Sequence, residues 1–515
     1  MAEIKLIINN LKFKINNKEL LTLGLILAVG ALLRLYRISD YMTFLGDEGR
    51  DVIVVRRLLL FADPILVGPG TSIGNMYLGP IYYYFMAPWL WLANFNPVGP
   101  AIGVALLGIL TIWFVWHVGK QFFGPIAGLV AAALYAVAHT IIIYSRSSWN
   151  PNIMPFFALL TMYCVWQIWQ ERKYKWMIVL GFAFAFVLQS HYLGLLLAPV
   201  IGLFWVLTFI NSKKSGNTKY LILNTIYSTA AFALLMSPLV IFDARHDWRN
   251  FEAVKKFFLE RQTTVSARPW NAIPNLLPIL NKINSRLITA KQDDWGMWVT
   301  PLLLAPVIFI IGLTKKIKLA SRQKNAYLLI FCWFGLALLG MGLYKQEIYD
   351  HYYGFFFAAP FLLIGGLAQS LINSSRIRGI SLVVPVVFLL ILINLLNSPL
   401  ASPPAMQLKR TQDIALEIIK LSNNQPFNLA VIAERNYDDA YQYFIENAGA
   451  KLVDIDPQRA DETITQQLFV VCEMEEAKCD PTHSPKAEVA GFGWSAIADQ
   501  WRVSGTLVYK LVHTQ

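Results

Sequence analysis

The chain predicts a mainly α-helical, polytopic membrane protein ending in a small soluble α/β or α+β domain. Of its 515 residues, 56% are hydrophobic and only 15% charged, with a mean hydropathy of +0.47. Soluble domains carry about 25% charged residues. Twelve long apolar runs punctuate residues 20–396, the signature of membrane spans. After Pro399 and Pro403-Pro404 the composition turns polar and alternates between helix-like and strand-like patterns.

The first segment, 1–19, is polar and basic and is expected to stay in the cytoplasm. A first span at 20–36 delivers residues 40–57 to the other face. The remaining runs lie at 78–93, 101–118, 125–144, 153–170, 176–189, 193–210, 220–242, 299–313, 326–343, 353–371 and 380–396. Basic loops at Arg172-Lys173, Lys213-Lys214, Lys315-Lys316 and Arg376-Ile377-Arg378 all want the cytoplasm under the positive-inside rule. Counting back from them leaves both ends of 78–93 on the outer side. That run carries Gly79-Pro80 and Pro88 among many aromatics, which suits an interfacial or re-entrant element rather than a crossing. About eleven transmembrane helices are therefore expected, with twelve if 78–93 crosses. Odd parity places the C terminus and the loops around 144–152, 189–192, 243–298 and 344–352 outside. Within the long loop, residues 248–262 space Phe251, Val254, Phe257 and Phe258 as the apolar stripe of a surface helix, with Lys255, Lys256 and Arg261 facing elsewhere.

The domain division is thus 1–19 cytoplasmic, 20–398 membrane domain with outer loops 40–100 and 243–298, and 399–515 soluble. In the last part TQDIALEIIKL and DDAYQYFIENAG read as helices, and FNLAVIAE, LFVVCE and TLVYKLV as strands. It has no glycine-rich phosphate loop and reads as an accessory domain. Cys472 and Cys479 lie within it and can pair in an oxidising compartment, whereas Cys164 and Cys332 fall in apolar runs. The net charge of +12 would suit nucleic acid in a soluble protein; here the cations sit in loops where topology explains them, so no nucleic-acid partner is expected.

The chemistry concentrates at 43–57, TFLGDEGRDVIVVRR. Gly46 and Gly49 bracket Asp47 and Glu48, and Arg50, Arg56 and Arg57 follow within one to three helical turns. A carboxylate in such company can act as a general base, and arginines can hold a phosphate. Arg146, His191, Arg245, His246 and His351 also fall on the outer side and are candidate phosphate or headgroup contacts. Each also has a plain structural reading, as an interfacial arginine or histidine. The histidines and acids show no recognised metal-ligand spacing.

A first span followed by FLGDEGRD, then GPIYYYFMAPWL, a basic HVGKQFFGPIAG loop and a span ending in IIIYSRSSWNPN resembles the GT-C membrane glycosyltransferases. The likeness is nearest to the dolichyl-phosphate-mannose protein mannosyltransferase and aminoarabinose transferase-like group, glycosyltransferase family 39, and covers roughly residues 20–400. The resemblance implies a polyprenyl-phosphate-linked sugar donor in the cell membrane. It further implies inverting transfer to an extracytoplasmic hydroxyl on a protein, lipid or glycan, with Asp47 as base and Glu48 in a positioning role. No cofactor is required on this reading, although a divalent cation (Mg or Mn) assisting the leaving phosphate stays open. The family's His-Pro-Pro-Leu-Tyr-Tyr segment corresponds to Leu78-Gly79-Pro80-Ile81-Tyr82-Tyr83, so Tyr82 joins the candidate site, while the histidine and first proline are missing. Tyr144-Ser145-Arg146 matches the family's outer segment, but the following acid is replaced by Trp149-Asn150-Pro151-Asn152. The alternatives are a transporter or flippase of a lipid-linked glycan, and a non-catalytic cell-envelope assembly protein. Charges at the bilayer midplane would favour transport, whereas these polar groups pool at one face.

Overall fold

The computed structural model describes residues 16–514 except 72–75, 260–263 and 314–319. All twelve apolar runs are helical in it. Among the described residues, six helices are long and apolar enough to cross a bilayer: Val98–Phe122, Asn150–Trp169, Tyr192–Lys214, Thr218–Arg245, Ser321–Leu343 and Arg376–Leu396. A seventh forms if Asp350–Phe356 and Ala358–Ser374, bent by 56° at their junction, count as one span. The run at 299–313 lies in helix Asp293–Leu313, and the others are helices that are shorter, broken or charged. Asn17–Leu35 contains Lys18, Glu19 and Arg34, and Pro125–Val137 breaks at Ala138 before His139–Tyr144. The run at 78–93 becomes Ile81–Leu92, twelve residues that rise about 18 Å, against a hydrocarbon core of about 30 Å.

Two polar layers lie at opposite ends of helix Met154–Trp169. At its C-terminal end, the buried Lys120 ammonium pairs with Glu19 at 2.9 Å, and Arg322 donates to the Gln121 carbonyl at 2.8 Å and pairs with Glu171 at 2.9 Å. Buried charges persist only when paired and hydrogen-bonded. At its N-terminal end, the Thr43 N–H donates to Ser147 Oγ at 2.9 Å, Asn150 donates to the Ser190 carbonyl at 2.8 Å, and His191 lies 5.7 Å from His351 between ring centres. The loops expected on one face therefore converge.

The amphipathic helix read at 248–262 is present as Arg249–Leu259; Arg261 of the same segment lies outside the described residues. The soluble part holds a four-stranded sheet of β1 (Asn428–Ile432), β2 (Gln467–Cys472), β3 (Ser495–Val503) and β4 (Thr506–His513), in the order β1-β2-β4-β3. β1 and β2 are parallel and the other pairs antiparallel. A parallel pair needs a crossover, and helix Asp439–Asn447 lies within it. Ile414, Ile418, Tyr441 and Ile445 pack from the helices onto Phe469 and Val471 of the sheet. Val489 and Phe492 cover the other face. β3 escaped the sequence reading because it is an edge strand, SAIADQWRV, exposed along most of its length, in which only Trp501 and Val503 alternate with polar residues. Cys472 and Cys479 are joined in a disulfide.

Candidate active site

The stretch 43–57 forms a helix, Gly46–Phe61, outside the spans. Its N-terminus is held by two acceptors: Glu48 Oε2 takes the Leu45 N–H at 3.0 Å, and Asn436 Oδ1, from the soluble domain, takes the Gly46 N–H at 2.8 Å. These satisfy donors that a helix start leaves unpaired. Gly49 is required by contact, since a Cβ there would stand 2.3 Å from the Ala440 backbone nitrogen. The soluble domain is thus seated directly on the acidic helix.

Asp47 and Glu48 sit in different environments. Glu48 is buried, and loss of hydration pushes its carboxyl up to about 8 against the Leu45 hydrogen bond. Its role is to cap the helix. Asp47 keeps 40% of its side-chain surface and accepts from Arg50 at 2.9 Å and from the Tyr437 hydroxyl. Arg50 also donates to the buried Asp51 at 2.8 Å and 3.1 Å, and the Tyr83 hydroxyl reaches the same Asp51 oxygen at 3.2 Å. Burial raises Asp51 to about 6, with Arg50 opposing the shift.

Asp47 opens onto a cavity of about 530 Å³. Tyr144, Ser147, Trp149 and Asn152 form one wall, and Glu347, Tyr349, Asp350 and His351 another. Its cations are Lys282 and Arg286 from helix Ile273–Leu287 and Arg435 from the soluble domain. Arg286 lies 3.4 Å from Asp350, and Lys282 donates to the Ile348 carbonyl at 2.9 Å.

The other residues singled out from sequence are placed as follows. Arg50 is engaged by the two aspartates. Arg56 donates to Asn447 at 3.2 Å and Arg57 to Glu446 at 3.1 Å, both toward the soluble domain. Arg146 is buried, donates to the carbonyls of Leu33 at 2.6 Å and Tyr36 at 2.7 Å, and lies over the Tyr41 ring. It thereby satisfies the end of the first long helix. Tyr82 is buried and pairs with Ser148 at 2.7 Å. His191 borders an apolar groove with Leu193, Leu195, Val254 and Phe257, and burial pushes it down to about 4, which leaves it neutral. Arg245 and His246 are exposed at the end of helix Thr218–Arg245, where His246 stacks on Phe242. Of the candidates, the structure brings Asp47, Glu48 and His351 to one cavity.

Lys282, Arg286, Arg435 and Tyr437 were missed. Lys282 and Arg286 stand four apart, which puts them on one helix face, a signal open to sequence reading. Arg435 and Tyr437 were concealed because nothing local announces that a loop 390 residues downstream returns to Asp47. Among the described residues, no group of three or more His, Cys, Asp and Glu is arranged to hold a metal ion.

Residues 78–242 match the family model of dolichyl-phosphate-mannose-protein mannosyltransferase. Among solved structures, ArnT from Cupriavidus metallidurans bound to undecaprenyl phosphate superposes with a TM-score of 0.57 at 13% identity, covering 95% of this chain and 97% of that one. The fold is that of the GT-C glycosyltransferases. The same GT-C architecture relates the chain to AglB, an oligosaccharyltransferase from Archaeoglobus fulgidus in complex with an inhibitory peptide and a dolichol-phosphate. The TM-score is 0.53 at 11% identity, covering 88% of this chain and 69% of that one. No curated protein matches the sequence.

Proposed function

We propose that this chain is a glycosyltransferase that moves one sugar from a polyprenyl-phosphate carrier to an acceptor hydroxyl with inversion. The observation that carries the reading is the cavity in which half-exposed Asp47 shares a wall system with Lys282, Arg286 and Arg435. The matched mannosyltransferase model and the undecaprenyl-phosphate-bound ArnT support a polyprenyl-phosphate donor. Asp47 takes the hydroxyl proton as the acceptor oxygen attacks the sugar C1 from the face opposite the phosphate. The C1–O bond to phosphate breaks, one displacement inverts the centre, and polyprenyl phosphate leaves with one more negative charge than the donor carried. The cations meet that growing charge. Arg50 and Tyr437 hold Asp47 in place, and Glu48 shapes the helix that presents it.

The site is assigned to the extracytoplasmic side of the cell membrane. Basic loops bias the opposite end toward the cytoplasm, and the Cys472–Cys479 disulfide suits an oxidising compartment. The charged groups that line the candidate cavity lie at one end of the bundle, rather than at its middle, which favours this reading over a transporter.

The test is to offer purified protein a panel of polyprenyl-phosphate sugars with membrane extract, and to identify the glycosylated product by mass spectrometry. Asp47→Asn is expected to lower turnover by about 10²–10⁴-fold while retaining donor binding. Undiminished turnover in Asp47→Asn would remove the base assignment, and lipid translocation without transfer by the wild type would favour the transporter.

A further inference from the structure

A second cavity, about 380 Å³, adjoins the first in the soluble domain. Leu45 and Arg435 line both, so the two cavities are neighbours across these residues. The second lies beyond the carboxyl ends of β1 and β2, between the loops beginning at Ala433 and Glu473. In α/β sheets, ligands collect outside the carboxyl ends of parallel strands.

Its charge pattern is specific. Glu473 is occupied, accepting from Asn436 at 2.8 Å and from the Tyr441 hydroxyl. Glu475 pairs with Lys478 at 3.1 Å, and Glu434 is exposed. Arg435 is exposed as well and Arg410 is partly buried; neither forms an ion pair with a described residue, and Arg410 Nε is buried without a hydrogen-bond partner. A buried guanidinium nitrogen left without an acceptor is costly. Arg410 stands in the first turn of helix Gln407–Leu421, whose N-cap position, Met406, supplies no side-chain acceptor. That helix end adds its own preference for negative charge.

We propose that this second cavity binds an anionic substituent, phosphate or carboxylate, carried by the acceptor at a distance from its reacting hydroxyl. The substituent rests on Arg410, with Arg435 standing between it and the reaction cavity, while the hydroxyl reaches Asp47. The acceptor class is therefore an acidic one. This inference rests on the glycosyltransferase reading for the word acceptor, but the cavity's affinity for an oxyanion is measured without turnover.

The test uses the full chain in nanodiscs of phosphatidylcholine, with binding of glucose 6-phosphate, glucuronate and glucose followed by saturation-transfer NMR. At least one anionic sugar is expected to bind and neutral glucose to fail; the phosphate and carboxylate arms distinguish the two chemistries. Arg410→Gln is expected to weaken the anion at least tenfold, and Arg410→Lys to restore part of it, with thermal unfolding reporting that both variants are folded. Equal binding of all three sugars, or undiminished anion binding in folded Arg410→Gln, would overturn the proposal. Should Arg410→Gln fail to fold, Arg410→Lys decides alone: anion binding equal to wild type counts against a bidentate arginine site and a loss of threefold or more supports it. Failure of the glycosyltransferase reading would appear instead as no sugar transfer, with anion binding intact.

Discussion

The hydroxyl of Tyr437 donates to the carboxylate of Asp47 across 390 residues of chain. The soluble domain, which composition alone marks as an accessory, thus reaches into the reaction cavity and holds the proposed base. Asp47 is fixed from two directions, by Arg50 on its own helix and by Tyr437 from outside it.

Tyr437→Phe removes one of those holds while keeping the ring that packs over Gly46. Small losses of alignment at a reacting group are expensive. The expected result is a fall of about tenfold in kcat, with donor KM within about twofold of wild type and unchanged thermal unfolding. Steady-state transfer kinetics check it; an unaltered kcat would reduce Tyr437 to a packing contact.

Glu48 gives a pH signature. Its carboxyl stands near 8 in the folded protein against an ordinary 4.5. As pH rises through 4.5 the unfolded chain releases the proton while the folded one retains it, so folding loses support progressively from about pH 4.5 to about pH 8, and the loss levels off above that. Glu48→Gln preserves an acceptor for the Leu45 N–H and has no proton to lose. Relative to wild type, its apparent melting temperature is expected to improve steadily from pH 5 to pH 8 and then hold. Asp51 and the other buried acids contribute to both proteins and drop out of the difference. A gap that does not change with pH would show that Glu48 is not held protonated by burial.

Two arginines about two turns apart in the same helix, Arg50 and Arg57, separate buried from exposed pairing. Arg50→Met strands Asp51, whose side chain is fully buried, and loss of one partner of such a pair costs about 3–5 kcal/mol. Arg57→Met breaks a pair in which the arginine is 56% exposed, for which about 0–1 kcal/mol is expected. Thermal unfolding of the two variants beside wild type reads the difference directly, and equal losses would mean that Arg50 does not support Asp51.

The helices were legible because apolar runs of fourteen or more residues admit few other structures in a membrane protein. Five of the strands and helices of the soluble domain were also legible from their patterning, as with FNLAVIAE and DDAYQYFIENAG. The acidic stretch was legible as a site because charge and glycine cluster locally there. The cations that line the cavity were not, since proximity in sequence favoured Arg56 and Arg57, which lie on the helix face that meets Asn447 and Glu446. The cations that line the cavity come from residues 282, 286 and 435, and only folding brings them to Asp47.

Those cations yield the most discriminating kinetic expectation. A polyprenyl-phosphate sugar is a phosphodiester with one negative charge, and the departing polyprenyl phosphate gains a second as the C1–O bond breaks. A guanidinium aimed at that oxygen therefore stabilises the transition state more than the bound donor, and its removal falls on kcat rather than on KM. Arg286→Gln is expected to lower kcat by about 10²-fold with donor KM raised less than about fivefold. Lys282→Met is expected to act in the same direction but less strongly, because part of its ammonium's hydrogen bonding goes to the Ile348 carbonyl. Arg56→Gln should leave both constants near wild type, since its guanidinium turns away to Asn447. An effect of Arg286→Gln confined to KM would instead make Arg286 a donor anchor that feels the same charge before and after the bond breaks.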